Sequence, residues 1–223
     1  LPPLIAAVFL ILVLAASRLL DFVVAVALSL LGVLLAVLVS GMLAPFGAVS
    51  LVHAVMIAMI LAGCGGLAAF AFAARQPAEK RRSGLTPMAW FASASGAVVW
   101  VIAYIVSLRL APVERLEWVV RNDSLNNLVF ARMVIQDGGI AVGADENPAP
   151  LPATLIALWA LDGRFQASAG LTLQHDLEAM MQVWAVLIGI TCILSGLTVA
   201  SIASSMGAPG LSVTLGGAFG SLM

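Results

Sequence analysis

Charge is what this sequence has least of. Its 223 residues hold ten Lys and Arg and eleven Asp and Glu, 9% in all, against 62% hydrophobic residues. Ordinary soluble domains carry about 25% charged and about 45–50% apolar residues, so a free-standing water-soluble fold is excluded. A formal net charge of −1 and an aromatic share of 7% give neither a basic surface nor a stacking platform, and no nucleic acid partner is expected. Cysteine is scarcer still. Cys64 and Cys192 both sit in apolar runs, where a lone thiol serves as a small packing residue rather than half of a disulfide.

Groups that carry chemistry are also few. The central thirds of the apolar runs contain no Asp, Glu, Lys or Arg, and a proton-coupled path formed by this chain alone would need such groups at membrane depth. No serine stands in a G-x-S-x-G context. The "GCGG" run at 63–66 is too short for a phosphate loop and lies inside an apolar helix. No catalytic residue and no metal site is therefore expected, and the sequence requires no cofactor. His53 and His175 are the two histidines and the two candidates for cofactor ligation, with Asp176 and Glu178 as possible supplements to His175. The competing reading makes both histidines interfacial or hydrogen-bonded, since a catalytic metal wants three protein ligands.

What the chain does have is long apolar runs, with a mean hydropathy of +1.12. Crossing a bilayer takes about 20 apolar residues as helix, and five spans are expected, over 3–18, 22–43, 47–74, 87–111 and 178–205. The opening run has no basic start and reads as a spanning helix rather than a signal peptide. "SRLLD" separates the first two spans, with Arg18 and Asp21 placed to pair at i, i+3. "APFG" is a Pro–Gly turn between the second and third. The expected fold is all-α, a polytopic integral membrane bundle of about five transmembrane helices with an extracytoplasmic helical insertion. Residues 1–111 hold helices one to four, 112–177 the insertion, and 178–223 the fifth helix and an apolar, Gly-rich tail.

Four of the ten basic residues, Arg75, Lys80, Arg81 and Arg82, crowd into one loop, 75–86. By the positive-inside rule that loop is cytoplasmic. The insertion then faces the periplasm or exterior, and the final end returns to the cytoplasm. Within the insertion, "VERLEWVVRNDSLNNLVFARMVIQD" places apolar residues at helical spacing, with Glu117 and Arg121 paired at i, i+4 on the other face. "AVGADENPAPLP" is an acidic, Pro-rich linker. "PATLIALWALDG" is too short to span and is expected to lie in the interface or to cover the bundle, with Trp159 at headgroup level.

Small residues recur every fourth position in three spans. Ala54, Ala58, Ala62 and Gly66 mark one face of the third. Cys192, Gly196 and Ala200 mark the fifth, and Gly32, Ala36 and Ser40 the second. In lipid, helices associate through close backbone approach, so these stripes are expected packing faces. After Glu178 no charged residue occurs, and such an apolar tail calls for a partner, for re-entry at the membrane edge, or for more chain. Nine Arg to one Lys in an Ala/Leu/Val/Gly-rich chain suggests a GC-rich bacterium. These features point to a non-catalytic structural or accessory subunit of a multisubunit inner-membrane complex for energy transduction, transport or secretion. Its partners are other integral membrane subunits and the lipid bilayer. The alternative is a small channel or carrier formed by self-association.

The orientation is testable. In intact cells, a cysteine at Ser83 is expected to resist impermeant thiol reagents and one at Asn147 to react. Neutralising all four basic residues should yield mixed orientation. The reverse labelling pattern would turn the topology over.

Overall fold

The computed structural model describes residues 1–47, 49–75, 85–110, 124–140, 150–161 and 172–222. Among them every regular element is an α-helix: α1 (Pro2–Ala16), α2 (Phe22–Leu43), α3 (Leu51–Ala74), α4 (Pro87–Ser93), α5 (Ser95–Ser107), α6 (Ser124–Gln136), α7 (Pro150–Leu161), α8 (Thr172–Ser205) and α9 (Gly210–Leu222). Four stretches are long and apolar enough to cross a membrane: Phe22–Leu43, Leu51–Ala74, Pro87–Ser107 and Thr172–Ser205. The first expected span, α1, has 15 residues. That is about 22 Å of helix against a hydrocarbon core of about 30 Å, so it belongs with the shorter apolar helices.

Local chemistry sets the boundaries. Asp21 caps α2 by accepting the Val23 N–H at 2.9 Å. Arg18 stacks over the Phe70 ring, 5.0 Å from its centre, so the expected Arg18–Asp21 pair gives way to two separate contacts. Ser50 caps α3, and Thr86 caps α4 just before Pro87. At the end of α8, Gly207 adopts φ +75°. The Ala208 N–H reaches the Ala203 carbonyl and the Gly207 N–H the Ser204 carbonyl. This is the left-handed glycine cap that reverses a chain cheaply, because glycine has no Cβ to clash.

Proline shapes the end of α2. The Gly41 carbonyl would ordinarily receive the N–H of residue 45, but Pro45 has none. The Ile140 N–H, just past the end of α6, donates to it instead at 2.8 Å. Gly138 at φ +73° turns the chain there. Gly139 fits because a methyl group at that position would collide with Pro45. One missing donor in α2 thus fixes where α6 docks.

The bundle has two ends. At one, Phe22 of α2 meets Trp90 of α4 edge-on at 4.8 Å, and Arg18 lies over Phe70 near the end of α3. At the other, the start of α3 (Leu51, Val55) shares a core with Leu128, Ala131 and Val134 of α6. The described part of the insertion therefore caps the end away from Arg75. Residues 111–123, including the Glu117–Arg121 pair, the linker 141–149 and the segment 162–171 lie outside the described residues.

Two segments gain definite neighbours. The short helix α7 does not lie on the surface: Ala153 to Leu158 and Ala160 are all buried, packed against α2, α6 and α8. A helix that is apolar all round has no polar face to offer headgroups, so it is stable only when covered. The apolar tail, for which a partner, re-entry at the membrane edge or more chain is the expectation, is helical and finds neighbours within the chain. It is α9, which folds back on α8, α4 and α5 and brings Ser221 against Gly96, inside the third long span.

That span is broken. Ala94 separates α4 from α5, and a break at membrane depth frees backbone groups that lipid cannot satisfy. Ser221, fully buried, repairs it: its Oγ accepts the Gly96 N–H at 2.9 Å, lies 3.0 Å from Ser95 Oγ and donates to the Ala218 carbonyl. Glycines let the helices come this close. A methyl on Gly196 would meet the Ser93 and Gly217 carbonyls at 2.6 and 2.7 Å. Long α8 joins two cores, giving Met180 and Val183 to the capped one and Leu197 and Ala200 to a second with Leu85, Ala89 and Val213.

Gly196→Ala should therefore lower thermal stability in detergent by about 1–3 kcal/mol, as overpacking does. Gly32→Ala and Gly65→Ala meet nothing within 4 Å and should be neutral or stabilise by up to about 1 kcal/mol. Equal effects at the three positions would refute the close-contact account.

Candidate functional site

The polar groups of the described chain concentrate where the cap meets α8. One α8 turn carries Gln174, His175, Asp176 and Glu178, and successive helical residues point about 100° apart, so they part company. Asp176 turns inward and is 1% exposed, and its Oδ2 accepts the Arg132 Nε–H of α6 at 2.8 Å. The Arg132 side chain is 40% exposed, so one partner of this ion pair is buried and the other reaches the surface. His175 donates from Nε2 to the Ala160 carbonyl near the end of α7, 2.8 Å away; a carbonyl can only accept, so Nε2 holds the proton. Glu178 stays exposed and accepts from Gln174 at 3.0 Å. Two side chains of one α8 turn thus hold α6 and α7 to the bundle.

His53, in the first turn of α3, is exposed, with its Nδ1 2.6 Å from Ser50 Oγ. Each histidine has a helix-capping or helix-tying contact of its own. Among the described residues no three His, Cys, Asp or Glu come together as a metal site. The Trp184 indole N–H is buried and has no acceptor among the described residues.

The small-residue stripes take several places. Gly66 lies in the contact of α3 with α1, where a methyl group would meet Ile11 and Leu12 at 3.0 and 3.1 Å. Ala54 and Ala62 flank the capped core and Ala58 is half-buried. On α8, Gly196 sits in the contact with α4 and α9, Ala200 in the second core, and Cys192 is half-buried with a free thiol. Arg75 is the exposed C-cap of α3. Lys80, Arg81 and Arg82 lie outside the described residues.

Two cavities flank the middle of α8. One, of about 340 Å³, lies between α1 and α2 on one side and α8 on the other, with Leu155 and Trp159 of α7 at its capped end. The other, of about 480 Å³, faces α5 and includes Trp100, Tyr104 and Gln182; the Trp100 indole N–H donates to the Ala185 carbonyl across it at 2.9 Å. Trp159, Val186, Ile190 and Ile193 belong to both walls. Among the described residues no Asp, Glu, Lys, Arg, His or Cys lines either one.

The Arg132–Asp176 pair and the role of Ser221 escape a reading by local pattern, because their partners lie 44 and 125 positions away. One local signal for Asp176 exists: it falls in register with Ala179, Met180 and Val183 on the buried face of α8.

Removing one partner of such a pair strands the other. Arg132→Met should cost about 1.5–3 kcal/mol of thermal stability in detergent, the usual worth of a hydrogen bond to a charged group. Adding Asp176→Asn to that variant should recover part of the loss, because the buried carboxylate is then gone. Strict additivity of the two substitutions would show that the groups do not interact.

Compared with known proteins, the chain matches no family model, no curated protein and no solved structure.

Proposed function

We propose that this chain is a non-catalytic structural or accessory subunit of a multisubunit inner-membrane complex that transduces energy, transports or secretes, with residues 75–86 in the cytoplasm and the cap outside. The observation that carries the reading is the free face of α3. Within the chain, α3 uses Met59, Gly63 and Gly66 as buried positions, while Cys64, Gly65, Ala68, Ala69 and Ala71 are exposed between the large exposed side chains of Leu61, Leu67 and Phe72. Lipid contact has no need of small side chains. A second helix does, because the energy of association in hydrocarbon comes from close backbone approach. The exposed patch is thus suited to a helix from another subunit.

A channel or carrier made by self-association is the competing reading. The lining of the cavity beside α1 speaks against it: a wall of hydrocarbon offers a hydrated ion or polar solute nothing in exchange for its water.

Gly65→Leu and Ala68→Leu should reduce recovery of co-purifying membrane proteins several-fold in mild detergent while leaving the chain's own thermal stability unchanged. Undiminished recovery removes α3 as the contact face. A purified chain that is monodisperse by itself and moves a solute across liposome membranes would replace the subunit reading with the transport one.

A further inference from the structure

Charge is divided unevenly along this chain. Residues 1–108 carry five basic and two acidic residues, a net +3, whereas residues 109–178 carry five basic and nine acidic ones, a net −4. The first set belongs to the uncapped end: Arg18 and Asp21 lie between α1 and α2, Arg75 closes α3, and the rest fall in the sequence that joins α3 to α4. Both described guanidiniums stand at the rims of candidate spans. Arg18 comes four residues before Phe22–Leu43, and Arg75 directly follows Leu51–Ala74. Phospholipid headgroups lie at that level, just outside the hydrocarbon.

Arg18 is held in place there. Its guanidinium lies 5.0 Å from the centre of the Phe70 ring, within the range of a cation–π contact. Stacking covers a flat face of the guanidinium and leaves the N–H groups around its edge able to donate. Among the described residues no carboxylate takes them up. Asp21 accepts the Val23 N–H instead, and the one salt bridge is Arg132–Asp176, under the cap. Phe70 precedes Arg75 by five residues, about 7.5 Å along α3. A basic residue at a helix C-terminus complements the helix dipole. That accounts for the positions of both arginines, but not for the clamping of Arg18 onto a different helix.

The surroundings of Arg18 select among anions. Leu14, one turn before it, and Leu19 and Leu20, just after it, are exposed. A dissolved anion would leave them uncovered, whereas a lipid brings acyl chains along with its phosphate. The fork of a guanidinium matches a pair of phosphate oxygens. The net positive charge of this end favours a headgroup with net negative charge over a zwitterion.

We infer that the end of the α1–α3 pair at Arg18 is a binding site for the headgroup of an anionic phospholipid. Arg18, clamped by Phe70, donates to the phosphate, Arg75 strengthens the field, and Leu14 and Leu19 lie along the acyl chains. The site does not depend on the subunit reading.

The test takes the full chain purified in detergent, supplies phosphatidylglycerol and phosphatidylcholine in equal amounts, and counts retained lipid by native mass spectrometry. Phosphatidylglycerol is expected to be retained several-fold over phosphatidylcholine. Arg18→Gln should lose most of that preference. Phe70→Leu, which keeps the charge and removes the ring, should lose part of it. Lys80→Gln, Arg81→Gln and Arg82→Gln combined should leave most of it intact. Equal retention of the two lipids overturns the site, as does a preference unchanged in Arg18→Gln. A loss in the triple variant as large as that in Arg18→Gln also overturns it, by making the attraction a property of the whole basic segment. Release of the lipid by millimolar inorganic phosphate would replace the lipid with a free anion as the occupant. Should Arg18→Gln fail to fold, Phe70→Leu decides the matter, since a preference unchanged there removes the clamped guanidinium as the anchor.

Discussion

In hydrocarbon a backbone N–H or C=O has no water to turn to, and each one left unpaired costs several kcal/mol. That constraint organises this molecule. Where the helices are regular it is met silently. Where the sequence interrupts them it forces a specific long-range contact. Pro45 leaves the Gly41 carbonyl without its donor, and Ile140 supplies one. The break at Ala94 frees the Gly96 N–H, and Ser221 receives it. Both repairs bring in a segment that could not span the membrane by itself, the cap in one case and α9 in the other. Hydroxyls obey the same rule closer to home: Ser40, Ser93, Thr191 and Thr198 each donate to a carbonyl one turn back, which lets them sit in apolar helices without a partner elsewhere.

Much of the architecture could be read in advance because hydrophobic length is a local property. The runs at 22–43, 47–74 and 178–205 need no knowledge of the rest of the chain to be recognised, while the caps Asp21 and Ser50, and the start of α3 at Leu51, come from the structure. Depth was harder to read. "PATLIALWALDG" is apolar on every side, and that pattern is equally compatible with the membrane surface and with the middle of a core. The neighbours decided it: α6 covers α7, with Leu128, Ala131 and Val134 over Ile156 and Leu158. The span at 87–111 was taken as continuous, since neither Gly96 nor the serines around it are strong breakers, and the bend at Ala94 is stable only because α9 is there to answer it.

The candidate site was less legible than the fold. Scarcity drew attention to the two histidines, yet each is occupied in holding a helix in place, His53 at the start of α3 and His175 between α8 and α7. The buried Asp176 carried the more informative signal, through its register with Ala179 and Met180, but its partner Arg132 belongs to a helix with no sequence link to α8. The small-residue stripes illustrate the same limit. Gly66 faces α1 and Gly196 faces α4 and α9, while Gly65, one residue from Gly66, faces out of the chain. Spacing identifies a surface for close approach; only the fold says which neighbour uses it.

The repair of the α4–α5 break also has a bearing on biogenesis. Gly96 and Ser221 are 125 residues apart, and at about 5–20 residues per second a ribosome needs on the order of 6–25 s to travel that distance. For that interval the final acceptor of the Gly96 amide is not yet made. Until α9 is made, the Gly96 N–H has to be satisfied by something other than Ser221, such as water or the carbonyl one turn back in a straight helix. A helix synthesised well after α4 and α5 thereby sets the shape of the break between them.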